Sequence, residues 1–149
     1  MIPSAAAAAN ACSARTVRRA RKRLTSAAED IDSILALTIL YEIHDVTRFD
    51  RVQEFASYAR LVKCVHQSAG KKLGTGGAKM GNVHLKWAFS EAAVLFLRHT
   101  KDGKKLLAGI EKKHGKGKAL SILAHKIGRA VYYMLSRGTV FSMEKFLAA

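Results

Sequence analysis

Ser68 heads a stretch in which glycine and lysine dominate, SAGKKLGTGGAKMGN, with Gly70, Gly74, Gly76, Gly77 and Gly81 interleaved with Lys71, Lys72 and Lys79. Glycine lets a backbone approach a ligand closely. Lysine beside backbone N–H groups suits a phosphate. A serine hydroxyl is a weak nucleophile until a neighbour lowers its proton affinity, and Lys71, Lys72 and His66 are the candidates for that task. The plain alternative is that a serine next to glycine is a turn residue.

Two nucleotide-binding patterns fail here. A phosphate-binding loop needs G-x-x-x-x-G-K-[ST], but after Gly76 and Gly81 the Lys position holds Asn82 and the hydroxyl position Val83. A dinucleotide fingerprint starting at Gly74 meets Lys79 where its third glycine belongs. Nucleotide hydrolysis is therefore excluded as the use of this loop. The six histidines show neither H-x-x-x-H nor H-E-x-x-H spacing, and Cys12 and Cys64 form no C-x-x-C pair, so no metal site is expected. Two cysteines in such a chain fit a reducing, cytoplasmic setting.

The charge points to a polyanionic partner. The chain of 149 residues carries 26 Lys and Arg against 11 Asp and Glu, a net charge of +15. Residues 60–149 hold 18 of the basic side chains and four acids, whereas residues 33–59 hold two and four. Seven lysines crowd residues 101–118, which read either as a solvated surface or as phosphate contacts, and counterion release favours the second. No apolar run approaches the roughly 18 residues of a membrane span.

These groups need elements to position them. Residues 1–32 are Ala-, Ser- and Arg-rich and read as a disordered or partly helical basic leader, with Arg15, Arg18, Arg19, Arg21, Lys22 and Arg23 on its helical part. Residues 33–44 are apolar on nearly every face and predict a buried helix, with a strand left open by the β-branched content. Asp50 with Gln53 predicts a capped helix start, the helix running through Phe55 and Tyr58 to about Leu61. Residues 62–80 predict a loop or hairpin. Asn82 predicts the cap of a helix over 83–99, with Asn82, Lys86 and Ser90 on its polar face and Val83, Trp87, Ala88, Leu95 and Phe96 toward the core. A short basic helix over 103–115 stops at Gly115. A longer one over 118–137 buries Leu120, Leu123, Ile127, Val131 and Met134, turns Lys126, Arg129, Tyr133 and Arg137 outward, and closes at Gly138. Trp87, Tyr132 and Tyr133 read as core or core edge rather than base-stacking platforms. The fold class expected is mostly α, a compact bundle of five or six helices with a glycine/lysine-rich loop.

Residues 34–147 resemble the C-terminal domain of the insertion-sequence 110/116/902 family of transposases. The resemblance rests on Glu42 with Asp45, Arg48-Phe49, Ser57-Tyr58 with Leu61, Ser68 with Gly70, Lys79 with Gly81-Asn82, and Glu91-Ala92-Ala93. It implies a DNA recombinase in which Ser68, in the motif Ser68-Ala69-Gly70, attacks a DNA phosphate and conserves the bond energy in a phosphoserine link. Arg60, Lys63, Lys71, Lys72, Lys79, Asn82 and Lys86 are the nucleic-acid-binding residues expected to surround it. In such proteins an N-terminal RuvC-like domain supplies acidic ligands for Mg²⁺, some members use a structured guide RNA, and the proteins act as oligomers. Against that pattern, Glu29, Asp30 and Asp32 stand too close together to be the acidic ligands, and Asp30-Ile31-Asp32-Ser33 replaces the family's Pro-Gly-Ile-Gly hairpin, so the helix-hairpin-helix start is expected to be degraded. The expectation is a truncated or rearranged copy: residues 1–32 a leader, residues 33–149 the DNA-binding and serine domain, bacterial, cytoplasmic and nucleoid-associated. It would bind no cofactor itself and be inactive alone, its partners being DNA and full-length transposase or a second copy. The alternative is a non-catalytic DNA-binding or transposase-interacting remnant, inhibitory or without function.

Overall fold

The computed structural model describes residues 33–63, 66–74 and 80–148. The basic leader, Cys64 and Lys79 lie outside the described residues. In chain order the elements are helix α1 (Ser33–Ile43), a single 3-10 turn (Val46–Arg48), α2 (Val52–Tyr58), strands β1 (His66–Ser68) and β2 (Lys71–Gly74), then α3 (Val83–His99), α4 (Lys101–His114), α5 (Lys116–Arg137) and α6 (Met143–Ala148). The described residues thus form six helices and one short antiparallel hairpin, the mostly α bundle that the periodicity predicts.

Helix α1 is apolar because it is packed on one side, at Leu35, Ala36, Ile39, Leu40 and Ile43. Ile34 and Tyr41 on its other side are 66% and 74% exposed, so the helix is not wrapped on every face. It ends at His44, whose φ of 60° turns the chain, and Asp45 then caps the 3-10 turn by accepting from the Thr47 amide at 2.9 Å. That hydrogen bond holds the Asp45 carboxyl below the usual carboxylate range.

Helix α3 is the centre of the bundle, packed on α1, α4 and α5, while α2 leans on α5. Its buried residues are Leu85, Ala88, Phe89, Ala92, Ala93 and Phe96, a stripe at helical spacing. Val83 and Trp87 fall off that stripe and are each 53% exposed, correcting the expectation that they face the core. Leu95 is half-buried, and Ala88 and Phe96 are buried as expected. In α5 the expected stripe is buried at Leu123, Ile127, Val131 and Met134, with Leu120 only half-buried and Tyr132 added. Gly138 closes α5 with a left-handed φ of 65°.

An aromatic cluster joins α2, α3 and α5. Phe55, fully buried, has Phe49 at 5.5 Å, Tyr132 at 5.6 Å and Phe89 at 6.0 Å between ring centroids. Tyr132 keeps its hydroxyl satisfied by donating to the Phe49 carbonyl at 3.0 Å across 83 residues of sequence. Phe96 against Phe146, at 5.4 Å, seats α6 on the other end of α3.

The start of α2 lies one residue later than the sequence suggests. Arg51 is the N-cap and makes no side-chain cap bond, and Glu54, not Gln53, reaches back to accept from the Asp50 amide at 3.1 Å. A carboxylate in the first turn is the better partner because it also answers the positive end of the helix dipole. The helix stops at Tyr58, short of Leu61, because Arg60 adopts a φ of 54°.

Two glycines of α4 separate packing from propensity. A Cβ on Gly103 would lie 2.7 Å from the Phe96 ring, which also packs against Phe146, whereas a Cβ on Gly109 would meet nothing within 4 Å. Gly109→Ala is expected to stabilise the protein by about 0.5–1 kcal/mol through helix propensity alone. Gly103→Ala is expected to destabilise it by about 1–2 kcal/mol, because overpacking outweighs the same propensity gain. Urea unfolding of the two variants checks the opposite signs.

Candidate functional site

The glycine-lysine segment is a hairpin on a built platform. Ser68 pairs with Lys71 and Gln67 with Lys72, so Ala69 and Gly70 form a two-residue turn. Both turn residues have positive φ, 50° and 73°, the pattern that matches the twist of paired strands. The register then slips, His66 opposing Gly74, which leaves Leu73 as a bulge. Ala69, Gly70 and Lys71 are exposed at the tip. A Cβ on Gly70 would touch nothing, so its requirement for glycine is the left-handed backbone and not close approach. Ser68 and Lys72 are placed by their backbone only, adjacent to and across from that turn.

Both ends of the hairpin segment are tied to the C-terminus of α2. On the entry side, the Leu61 amide donates to the Ala56 carbonyl at 2.9 Å and the Arg60 amide to the Ser57 carbonyl at 3.1 Å. This is the Schellman pair of bonds, with Arg60 where glycine is usual. On the return side, the Arg60 Nε donates to the Met80 carbonyl at 2.9 Å, and the Asn82 amide donates to the Tyr58 carbonyl at 2.7 Å. The left-handed Arg60 is thus held by what its side chain grips. Gly81, at φ 92°, passes so close that a Cβ would lie 2.6 Å from the Tyr58 carbonyl.

Asn82 joins three helices. Its Oδ1 accepts from the Leu85 amide at 3.0 Å and so caps α3, as the sequence predicts. Its Nδ2 donates to Glu42 Oε2 of α1 at 2.6 Å and lies 3.4 Å from the Tyr58 hydroxyl of α2. A hydrogen bond to a carboxylate contributes about 1.5–3 kcal/mol. The Tyr58 hydroxyl is pushed below the usual phenol range, first by the Asn82 amide and then by Arg48. The Arg48 guanidinium lies 4.4 Å from the Tyr58 ring centroid and 4.7 Å from that of Phe49, a cation–π stack on both rings.

The structure therefore divides the expected nucleic-acid-binding residues. Arg60 and Asn82 meet at the clamp, where their side chains bond within the fold. Lys63, Lys71 and Lys86 are exposed, respectively before the hairpin, at its tip and one turn into α3. Glu42, Tyr58 and Arg48 gain positioning roles that residue types alone did not reveal. Their signal lay in the motif residues of the family resemblance, many of which gather around Asn82. Among the described residues no three His, Cys, Asp or Glu side chains come together as metal ligands would. No described helix is long and apolar enough to cross a membrane.

The clamp gives three separable expectations. Asn82→Ala should cost about 1–3 kcal/mol, a lost cap plus a part-buried acceptor left without its donor. Asn82→Asp, an equally good cap, should still destabilise at neutral pH because it sets a carboxylate against Glu42. That deficit should shrink on acidification, as the introduced carboxyl takes up a proton. Gly81→Ala should cost roughly 2 kcal/mol or more, since the left-handed backbone and the Tyr58 carbonyl both oppose a Cβ. Thermal unfolding from neutral to acidic pH measures all three, with Glu42→Gln, which keeps an acceptor, as the mild control.

No curated protein and no solved structure matches this chain. The sequence profile of the Transposase IS116/IS110/IS902 family matches residues 21–108. The match begins upstream of α1, spans the clamp and the hairpin, and ends within α4. Covering more than half of the sequence, it places this chain in the Transposase IS116/IS110/IS902 family.

Proposed function

We propose that the chain binds DNA and serves transposition as the serine-bearing C-terminal part of an insertion-sequence transposase, residues 33–149 forming that domain. The observation that carries the reading is the clamp: a folded platform holds both ends of a hairpin whose two-residue turn follows Ser68 directly. A surface loop with no chemical task does not require Arg60 in a left-handed conformation and Gly81 against a carbonyl to fix its ends. The net charge of +15 supplies the non-specific affinity for the backbone phosphates, through Lys63, Lys71 and Lys86 around the hairpin, with Lys72 and Lys79 of the same stretch of sequence.

The reaction proposed is transesterification. Ser68 Oγ gives up its proton and bonds to phosphorus, the phosphorus–oxygen bond to the neighbouring nucleotide breaks, and the departing sugar oxygen takes up a proton. No bond energy is lost, so the reverse attack by a sugar hydroxyl reseals the strand. The chain is proposed to work beside a full-length transposase and not alone, in the bacterial cytoplasm on nucleoid DNA.

A second reading has one observation in its favour. Val83 and Trp87, one turn apart on α3, each leave about half of their surface exposed, which suits contact with another protein. On that reading the chain is a non-catalytic inhibitor that joins full-length subunits. Co-purification with full-length transposase that Trp87→Ala abolishes, with no Ser68-dependent adduct, would favour it.

Two measurements test the proposal. DNA affinity should fall with salt at a log–log slope of about −0.9 per phosphate neutralised, and Lys71→Gln or Lys86→Gln should each reduce that slope by about 1. A flat response sinks the DNA reading, and equal losses from Lys104→Gln or Lys113→Gln would replace the hairpin contact with a diffuse field. With element-end DNA and a full-length partner, a covalent protein–DNA adduct should form on this chain and vanish in Ser68→Ala. An adduct that persists in Ser68→Ala removes the nucleophile assignment. A Ser68-dependent adduct formed by the chain alone removes the requirement for a partner.

A further inference from the structure

The C-terminal half of α5 and the segment that returns across it enclose a groove of about 400 Å³, outside the region shared with the family profile. Four cations line it: Lys126, Arg129 and Arg137 from α5 and Lys145 from α6. Its lining contains no acidic side chain. The aromatic residues are Tyr133, Phe141 and Phe146, and Val140 at the rim is 60% exposed.

Rings hold two of the four cations in place. The Arg137 guanidinium lies 4.7 Å from the Tyr133 centroid, and the Lys126 ammonium 5.1 Å from that of Phe146. Phe146 is itself fixed by Phe96 and Phe141, at 5.4 and 5.3 Å. Like charges are thus gathered at low entropic cost before any anion arrives, the arrangement that preorganises a binding site. Burial and the neighbouring Arg129 hold the Lys126 ammonium below the usual lysine range, and the same two causes act on His125. A bound anion would offset the repulsion between Lys126 and Arg129.

We propose that this groove is a second nucleic-acid site that takes a single strand, with its phosphates on Arg129, Arg137 and Lys145 and a base against Tyr133. Cations alone would suit any phosphate. Ring faces and an exposed apolar rim suit a base whose own face is open, which a duplex hides and a single strand offers. The volume is that of a small-ligand site, room for about one or two nucleotides. The site stands apart from the hairpin and does not depend on the reading given to Ser68.

The test uses the full chain with fluorescent oligo-dT and oligo-U and with a duplex of equal length, followed by anisotropy. Arg129 and Arg137 are both exposed, so Arg129→Gln with Arg137→Gln should lower the melting temperature by no more than about 5 °C. The pair should weaken single-strand binding roughly tenfold or more while duplex affinity stays within about twofold. Lys71→Gln should do the reverse. Tyr133→Leu should weaken the oligonucleotides more than it weakens pyrophosphate competition, because it removes a base contact as well as the ring under Arg137. Whichever oligomer responds identifies the strand, DNA or RNA. Unchanged single-strand affinity in the double variant overturns the proposal, as does an equal loss for the duplex. Loss of binding to vesicles of anionic lipid, with the oligonucleotides unaffected, overturns it in favour of a membrane surface. Duplex binding insensitive to Lys71→Gln would count against the hairpin interface and leave the groove standing.

Discussion

The bond between Asn82 and Glu42 is the constraint on which the candidate site depends. One amide side chain caps α3, bonds the carboxylate of α1 and approaches the hydroxyl at the end of α2, while its backbone amide satisfies the last carbonyl of α2. Helix ends carry unsatisfied carbonyls and amides that must be answered somewhere. Here the C-terminus of one helix and the N-terminus of the next answer each other through two consecutive residues, Gly81 and Asn82. The hairpin between these helices therefore leaves and re-enters the bundle at nearly the same place. Its ends are set by the helices, whatever its tip meets.

The strain in the backbone is distributed in the same way. His44, Arg60 and Ala69 are the described non-glycine residues with positive φ, and each costs of order 1–3 kcal/mol unless its surroundings compensate. His44 turns the chain out of α1, two residues after Glu42. Arg60 is compensated by the two Schellman bonds and by its grip on Met80. Ala69 is different: it sits exposed at the tip, in the middle of Ser68-Ala69-Gly70, where only the pairing of two short strands holds it. Positive φ is the ordinary requirement of a two-residue hairpin turn; what sets this one apart is that alanine, beside a serine, supplies it where Asn or Gly is usual.

Local features were legible in the sequence, and partnerships across the chain were not. The cap at Asn82, the stop at Gly138 and the stripe along α5 follow from spacing within one turn or one helix. The hairpin was harder to read because its turn is Ala-Gly and not the Asn-Gly that signals positive φ at both positions. The end of α2 is not visible in local sequence because Arg60 takes the conformation expected of glycine, and its reason, the Met80 carbonyl, lies 20 residues away. Trp87 was assigned to the core on its type, yet α3 already fills its buried face with Leu85, Ala88, Phe89, Ala92 and Ala93, leaving the large ring outside. Glu42 to Asn82 spans 40 residues, and no periodicity in either segment announces it. The family resemblance did contain these residues, as motif positions without a stated reason, and the clamp supplies the reason.

The clamp also explains how the chain carries its charge. Three of the four acids of residues 33–59 are engaged within the fold: Glu42 accepts from Asn82, Asp45 from the Thr47 amide and Glu54 from the Asp50 amide. They neutralise helix ends and amide donors instead of surface lysines, so the positive field of residues 60–149 is left largely uncompensated. A long-range field of that kind attracts a polyanion without regard to register, and its strength falls with salt. Register must come from short-range geometry, which the field cannot give. In this fold the two tasks are carried by different residues, exposed lysines for attraction and the Arg60–Gly81–Asn82 clamp for position. A substitution in the clamp should consequently disturb where a phosphate is held more than how strongly the chain is drawn to it.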